Sequence, residues 1–185
     1  MSPPGGTSGT ADAAPLHRLY ALRHAKSSWD DPALADHDRP LARRGEQSVK
    51  LLRDYVTRHT IAPDLVLCSS ARRTIETLDG IRRALPADVE VRIEGGLYGA
   101  SAERLASAIR DVDDAFGAVL VIAHNPGLED LVDRVVGEGD TALRERLTEK
   151  FPTGALASMS FDGRWAELGP GSVRLDDFVV PRDLA

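Results

Sequence analysis

Two histidines in this chain stand directly after short apolar runs, His24 after His17–Arg23 and His124 after Gly117–Ala123. Arg23 precedes the first, and Asn125-Pro126-Gly127 follows the second. Two further apolar runs, Asp64–Ser69 and Val89–Ile93, are followed by Ser70–Arg73 and by Glu94. Imidazoles, guanidinium groups and a carboxylate gathered without any metal-ligand spacing suit phosphoryl transfer. A planar guanidinium pairs bidentately with phosphoryl oxygens, which a lysine point charge does less well. A neutral imidazole can attack phosphorus in line and hold the group covalently, splitting one displacement into two easier ones. On this reading His24 is the nucleophile, Arg23 and Arg73 are the clamp, and His124 is a further donor. Asn125, Pro126 and Gly127 read as N-cap, proline at the first helical position and helix, so that N–H groups and the positive dipole end face the same anion. Lys26 either adds charge at the pocket mouth or faces solvent. Glu94 either protonates a leaving oxygen or caps the turn at Gly95-Gly96. No metal and no cofactor is expected.

For these residues to meet, the apolar runs must be neighbouring strands. Each run is followed by a segment of helical spacing: Val49, Leu52 and Val56; Ile75, Leu78 and Leu85; Leu105, Ile109 and Val112; Leu128, Leu131, Val132 and Val135. Alternation of this kind implies βαβ units with right-handed crossovers, a mainly parallel sheet and helices on both faces. The expected fold is therefore a three-layer α/β/α sandwich, in which ligands bind beyond the carboxyl ends of the strands. A charged helix is expected at about Thr141–Lys150, and Ala155–Phe161 and Val173–Val180 read as later strands near a sheet edge. The connection from His24 to Arg44 is long, broken by Pro32 and Pro40, and connections of that length in compact domains are often functional.

The composition bounds the alternatives. With 185 residues, 28% charged and 42% hydrophobic, the chain fits one globular domain. Residues 1–15, rich in Gly, Pro, Ser, Thr and Ala, are expected to be a disordered tail ahead of a single domain over 16–185. No stretch approaches the roughly 20 apolar residues of a membrane span, and the start lacks a signal-peptide pattern, so a cytoplasmic location without membrane association is expected. The formal charge of −6 argues against nonspecific nucleic-acid binding. A single cysteine, Cys68, excludes an internal disulfide and reads as a small buried apolar residue.

Leu22-Arg23-His24-Ala25-Lys26-Ser27 resembles the Arg-His-Gly signature of the histidine phosphatase (phosphoglycerate-mutase-like) superfamily, with Ala25 where Gly is commoner. Asp38-Arg39-Pro40-Leu41 with Arg44-Gly45 resembles the segment that opens the family's first helix, Cys68–Thr77 its Ser-Pro…Arg-Ala-x-Gln-Thr segment, and Val121–Pro126 its second-histidine motif. The compact length and the ending Phe151-Pro152-Thr153 through Pro181–Leu184 are most similar to the SixA-like phosphohistidine phosphatase branch. The resemblance implies a phosphoglycerate-mutase-like fold, a phosphorylated nucleophile at His24, and Arg23, Arg73 and His124 around the transferring group. It selects Arg73 over Arg72, because Arg73 lies four residues after Ser69 and precedes Thr-x-Glu-Thr. Two positions depart from the pattern: Asp30 replaces an Asn found in mutase-like relatives, and Gly95 stands where the family's general-acid glutamate lies, one residue past Glu94.

Beside these assignments stand plainer ones. His17, His37 and His59 carry no motif and read as structural, and Ser69 reads as a cap for a helix beginning near Ala71. Trp29 is either a substrate-stacking wall or packing against the sheet edge. The expected activity is metal-independent phosphatase turnover through a phosphohistidine on His24, acting on a phosphohistidine protein or a phosphorylated small molecule. A phosphomutase and a non-catalytic phosphate-binding module are the alternatives.

Overall fold

The computed structural model describes residues 16–185; the expected tail over 1–15 lies outside the described residues. Four strands, β1 (Leu16–Arg23), β2 (Leu65–Ser69), β3 (Glu90–Glu94) and β4 (Ala118–Ala123), fall where the apolar runs lie. They are joined through α1 (Arg43–Arg58), α2 (Arg72–Ile81) and α3 (Ala102–Arg110), and α4 (Gly127–Val135) follows β4. Every residue of β2 and β4 is buried, the pattern of strands covered on both faces. Alternate residues serve opposite layers. Leu22, Val66, Cys68, Leu120 and Ile122 pack with Val49, Leu52 and Val56 of α1 and Leu78 of α2. Ala21, Leu65, Leu67 and Val121 pack with Leu105 of α3, Leu128 and Leu131 of α4 and Leu147 of α5 (Thr141–Glu149).

The sheet has seven strands in the order β3-β2-β4-β1-β6-β7-β5, where β5 is Val136–Gly139, β6 is Leu156–Asp162 and β7 is Val173–Val179. Only β6 runs against the rest, pairing antiparallel with both β1 and β7. Its place corrects the expectation of late strands near an edge: β6 lies beside β1 at the centre of the sheet. The chain is seated there by Gly154, whose N–H donates to the carbonyls of Arg23 and His24 at 3.0 and 3.1 Å, so the strand starts at the carboxyl end of β1 and runs back along it. The outer strand on that side is β5, which had no sequence signal. It is four residues long, and Gly137 lies so close to Gly171 that a Cβ would stand 2.2 Å from its carbonyl oxygen.

The order places β1 between β4 and β6, with β4 also paired to β2. The ends of β1, β2 and β4, carrying Arg23-His24, Ser69 and His124, therefore open on one edge. The long connection after His24 is organised as well. Ser27 bridges Leu41, and a 3-10 turn at Asp36–Asp38 reaches across toward α2.

Candidate active site

His24 and His124 leave the sheet from adjacent parallel strands, and the His24 amide donates to Ala123 O at 3.2 Å, so their ring centroids lie 5.0 Å apart. Both side chains are buried. The turn after His24 is pinned by α2: Ala25 N–H donates to Thr77 Oγ1 at 3.0 Å, and that hydroxyl donates to Arg73 O at 2.6 Å. One helix therefore fixes both the His24 turn and Arg73.

The hydrogen bonds assign the tautomers. His24 Nδ1 lies 2.7 Å from Ala25 O. A carbonyl only accepts, so Nδ1 carries the proton and Nε2 the lone pair. His124 Nε2 lies 2.7 Å from Ser69 Oγ, whose other neighbour is the donating Ala71 N–H at 3.5 Å. The buried hydroxyl hydrogen therefore goes to His124 Nε2, which leaves His124 Nδ1 as an N–H donor. That Nδ1 is buried and has no partner among the described residues. Burial pushes the His24 pKa down to about 3, with the positive surroundings of Arg73 and Arg23 adding to it, and pushes His124 down to about 4. Both rings are neutral at neutral pH, the state in which an imidazole has a free lone pair on one nitrogen and an N–H donor on the other.

Arg73 is buried, and its guanidinium donates to Asp36 O at 2.5 Å and Asp36 Oδ2 at 2.9 Å. Arg72, one position earlier on α2, is half exposed and pairs with Glu76 at 2.7 Å along the helix. Arg23 donates from Nη1 to Phe151 O at 2.7 Å, while its buried Nε has no partner among the described residues. Burial depresses the pKa of Arg23. The structure thus brings together His24, His124, Arg23 and Arg73, the four residues around which the phosphoryl chemistry was assembled from sequence.

Other expected residues lie differently. Asn125 does not cap α4: the cap position is Pro126, and Asn125 Nδ2 donates instead to Glu129 Oε2 at 2.8 Å and Phe151 O at 3.0 Å. Its amide donors are spent on holding the Phe151 segment, the same carbonyl that Arg23 uses. Ser69 does not cap α2 either, since the cap position is Ala71 and the hydroxyl is committed to His124. Glu94, the last residue of the outer strand β3, stands in register with Ser69, but among the described residues its carboxylate makes no hydrogen bond or ion pair. Lys26 is exposed and, with Arg23, lines a cleft of about 710 Å³. Trp29 is 71% exposed and carries the Arg39 guanidinium 3.2 Å from its ring centroid, so it does not pack on the sheet edge. Cys68 is fully buried, and burial pushes its thiol up to about 12.

Asp36 and Tyr98 were not singled out from sequence, and His37, read there as a structural histidine, lies beside them. The Asp36 carboxylate accepts from Tyr98 OH at 2.7 Å, Arg39 Nη1 at 2.7 Å and Arg73 Nη2 at 2.9 Å, and these bonds, that of Tyr98 foremost, hold its pKa down to about 2. The Tyr98 ring stands edge-on to His124 at 5.6 Å and to His37 at 4.9 Å, and His37 Nε2 lies 3.0 Å from Ser70 Oγ. The only sequence signal for Asp36 and His37 was their place in the long connection. His17, by contrast, is a core residue: it is 1% exposed, lies 2.6 Å from Gly163 O and packs on Trp165.

Residues 19–101 match the model of the histidine phosphatase superfamily (branch 1). An uncharacterised protein of Mycobacterium tuberculosis (strain H37Rv) is 39% identical over 165 residues, covering 87% of this chain and all of the relative. A structure from Nakamurella multipartitia, provisionally named phosphohistidine phosphatase SixA, superposes with a TM-score of 0.80 at 27% identity, over 92% of this chain and 99% of that one. The protein histidine phosphatase SixA complexed with tungstate shares the fold, at a TM-score of 0.73 and 20% identity over 91% and 99% of the two chains. The chain belongs to the histidine phosphatase superfamily, in its SixA-like branch.

Proposed function

We propose that this protein is a metal-independent phosphatase that passes the phosphoryl group through His24. The observation that carries the reading is the His24 hydrogen bond to Ala25 O, which directs the Nε2 lone pair away from the backbone in a ring held neutral by burial. In the first step the Nε2 lone pair forms the N–P bond while the bond from phosphorus to the leaving group breaks, its electron pair going with the leaving group. In the second, a water oxygen attacks phosphorus, the P–N bond breaks, the water's protons pass to phosphate and solvent, and neutral His24 is restored. Arg23, Arg73 and the His124 Nδ1–H meet the charge on the three equatorial oxygens. Among the described residues no carboxylic acid is hydrogen-bonded to either histidine, which favours leaving groups needing little protonation, such as the imidazole of a phosphohistidine protein or a phosphate anhydride. SixA-type names among the relatives support the same class.

The test is quenched-flow trapping with an aryl phosphate. The parent protein should accumulate an acid-labile, base-stable phosphoenzyme, and His24→Ala should form none. Label found on His124 would reverse the assignment. Turnover should persist in excess chelator, since the guanidinium groups meet the phosphate charge; loss in chelator, restored by a divalent cation, would overturn the mechanism.

A further inference from the structure

The cleft beside Arg23 is strongly basic. Its lining includes six cations, Arg23, Lys26, Arg44, Arg146, Lys150 and Arg182, against the side chain of Glu149 and the terminal carboxylate of Ala185. The whole chain has 29 acidic and 23 basic residues, so this sign is opposite to the protein's own. Two of the three lysines in the sequence are among the six. The cations come from four separate segments: the end of β1, the first turn of α1, the end of α5 and the C-terminal turn Pro181–Leu184. Solvated charges on one helix face would not converge in this way. Arg146 and Arg182 share Asp183, whereas Arg23, Lys26, Arg44 and Lys150 have no carboxylate within ion-pair distance among the described residues. Gathering like charges in a concavity costs repulsion and focuses the field there, which an anion relieves.

We infer that this cleft holds a second anionic group, a phosphate or carboxylate, of the same small molecule whose phosphoryl group is cleaved at His24. The inference rests on the phosphatase reading and narrows its substrate to small molecules with at least two anionic groups. Arg23 connects the two sites: its Nε is buried without a partner beside the histidines, and its side chain also forms part of the cleft wall. The cleft also runs beside the His24 turn, since its lining residues Pro152 and Thr153 precede Gly154, whose N–H donates to His24 O at 3.1 Å. The volume of about 710 Å³ lies within the range of small-molecule sites.

The experiment compares AMP with ADP, which differ by one phosphate. Affinity is read by calorimetry on the His24→Ala protein and, independently, as competitive inhibition of aryl phosphate turnover by the parent. ADP should bind at least about ten-fold more tightly than AMP at low salt, with the difference shrinking as ionic strength rises. In a triple variant, Arg44→Gln with Lys150→Gln and Arg182→Gln, the preference should fall to about two-fold while aryl phosphate turnover is kept, because these exposed side chains stand apart from the histidines. Equal affinity for the two nucleotides in the parent overturns the inference, as does a preference that survives the triple variant. Equal affinity together with charge-dependent binding of a polyglutamate peptide reassigns the cleft to a protein partner. An ADP preference that depends on the three cations, in a protein that turns over no phosphate compound, upholds the cleft and overturns the phosphatase reading.

Discussion

Arg72 and Arg73 are adjacent in sequence and opposite in consequence, which makes their alanine variants a sharp test of the site. Consecutive helical residues point about 100° apart, so only one can face the histidines. The Arg73 side chain is 8% exposed and its guanidinium is held by Asp36, whereas Arg72 is 54% exposed. On the proposed mechanism, Arg73→Ala removes a fixed cation from beside the transferring phosphoryl group, where its interaction would strengthen as charge develops. Its loss should lower kcat/KM by on the order of 10² to 10³, about 3–4 kcal/mol. Asp36 keeps Arg39 and Tyr98 as partners, so the connection it anchors remains in place. Arg72→Ala breaks one exposed pair with Glu76, about 0.3–0.5 kcal/mol of stability, and should leave kcat/KM within about two-fold. Arg73→Lys should recover only part of the activity, because a point charge replaces a planar fork. Steady-state kinetics on an aryl phosphate, with melting curves for each variant, decides the matter. A larger loss at 72 than at 73, or a loss at 73 explained by unfolding, would refute the reasoning.

Two further outcomes follow from the same geometry. His24 and His124 are held neutral down to about pH 3 and 4, whereas in the unfolded chain they take up protons near 6.5. The unfolded state therefore binds more protons in that window, and stability should be level above pH 6.5 and fall as pH drops toward 4. Urea midpoints at pH 7.5 and 4.5 should differ less in a His24→Gln variant than in the parent, and an unchanged difference would remove His24 from the account. Gly45→Ala should destabilise although it improves helix propensity by about 1 kcal/mol. A Cβ there stands 2.2 Å from the Lys26 carbonyl oxygen, so backbone must move at an expected cost of roughly 1–3 kcal/mol. Since Lys26 lies two residues past His24, kcat should fall as well, and calorimetry with kinetics on the variant reads both.

Much of this architecture was legible in the sequence because its signals are local. Hydrophobic period separates strand from helix within a dozen residues, and the first four strands lie within a residue of their apolar runs, whereas the helical stripes mark the helices more loosely: α1 begins six residues before Val49, and Leu85 and Val112 fall past the ends of α2 and α3. The positions of His24 and His124 just past strands followed from that, while the choice of Arg73 over Arg72 needed the resemblance. The tertiary structure decided what depends on distant partners. The central place of β6 is set by Gly154 on the carbonyls of Arg23 and His24, more than a hundred residues away in the chain, and no period records such a pairing. Asp36 and Tyr98 meet Arg73 because a connection with few apolar anchors is closed by the Ser27–Leu41 bridge and by hydrogen bonds, which composition does not encode. Asn125 fitted a cap pattern, yet its amide took the stronger offer of the Glu129 carboxylate and the Phe151 carbonyl. The basic cleft exists only once the C-terminal turn folds against α1 and the Arg146–Asp183 pair holds the end of α5 beside it, because six charges scattered over the chain become a site only when the fold brings them together.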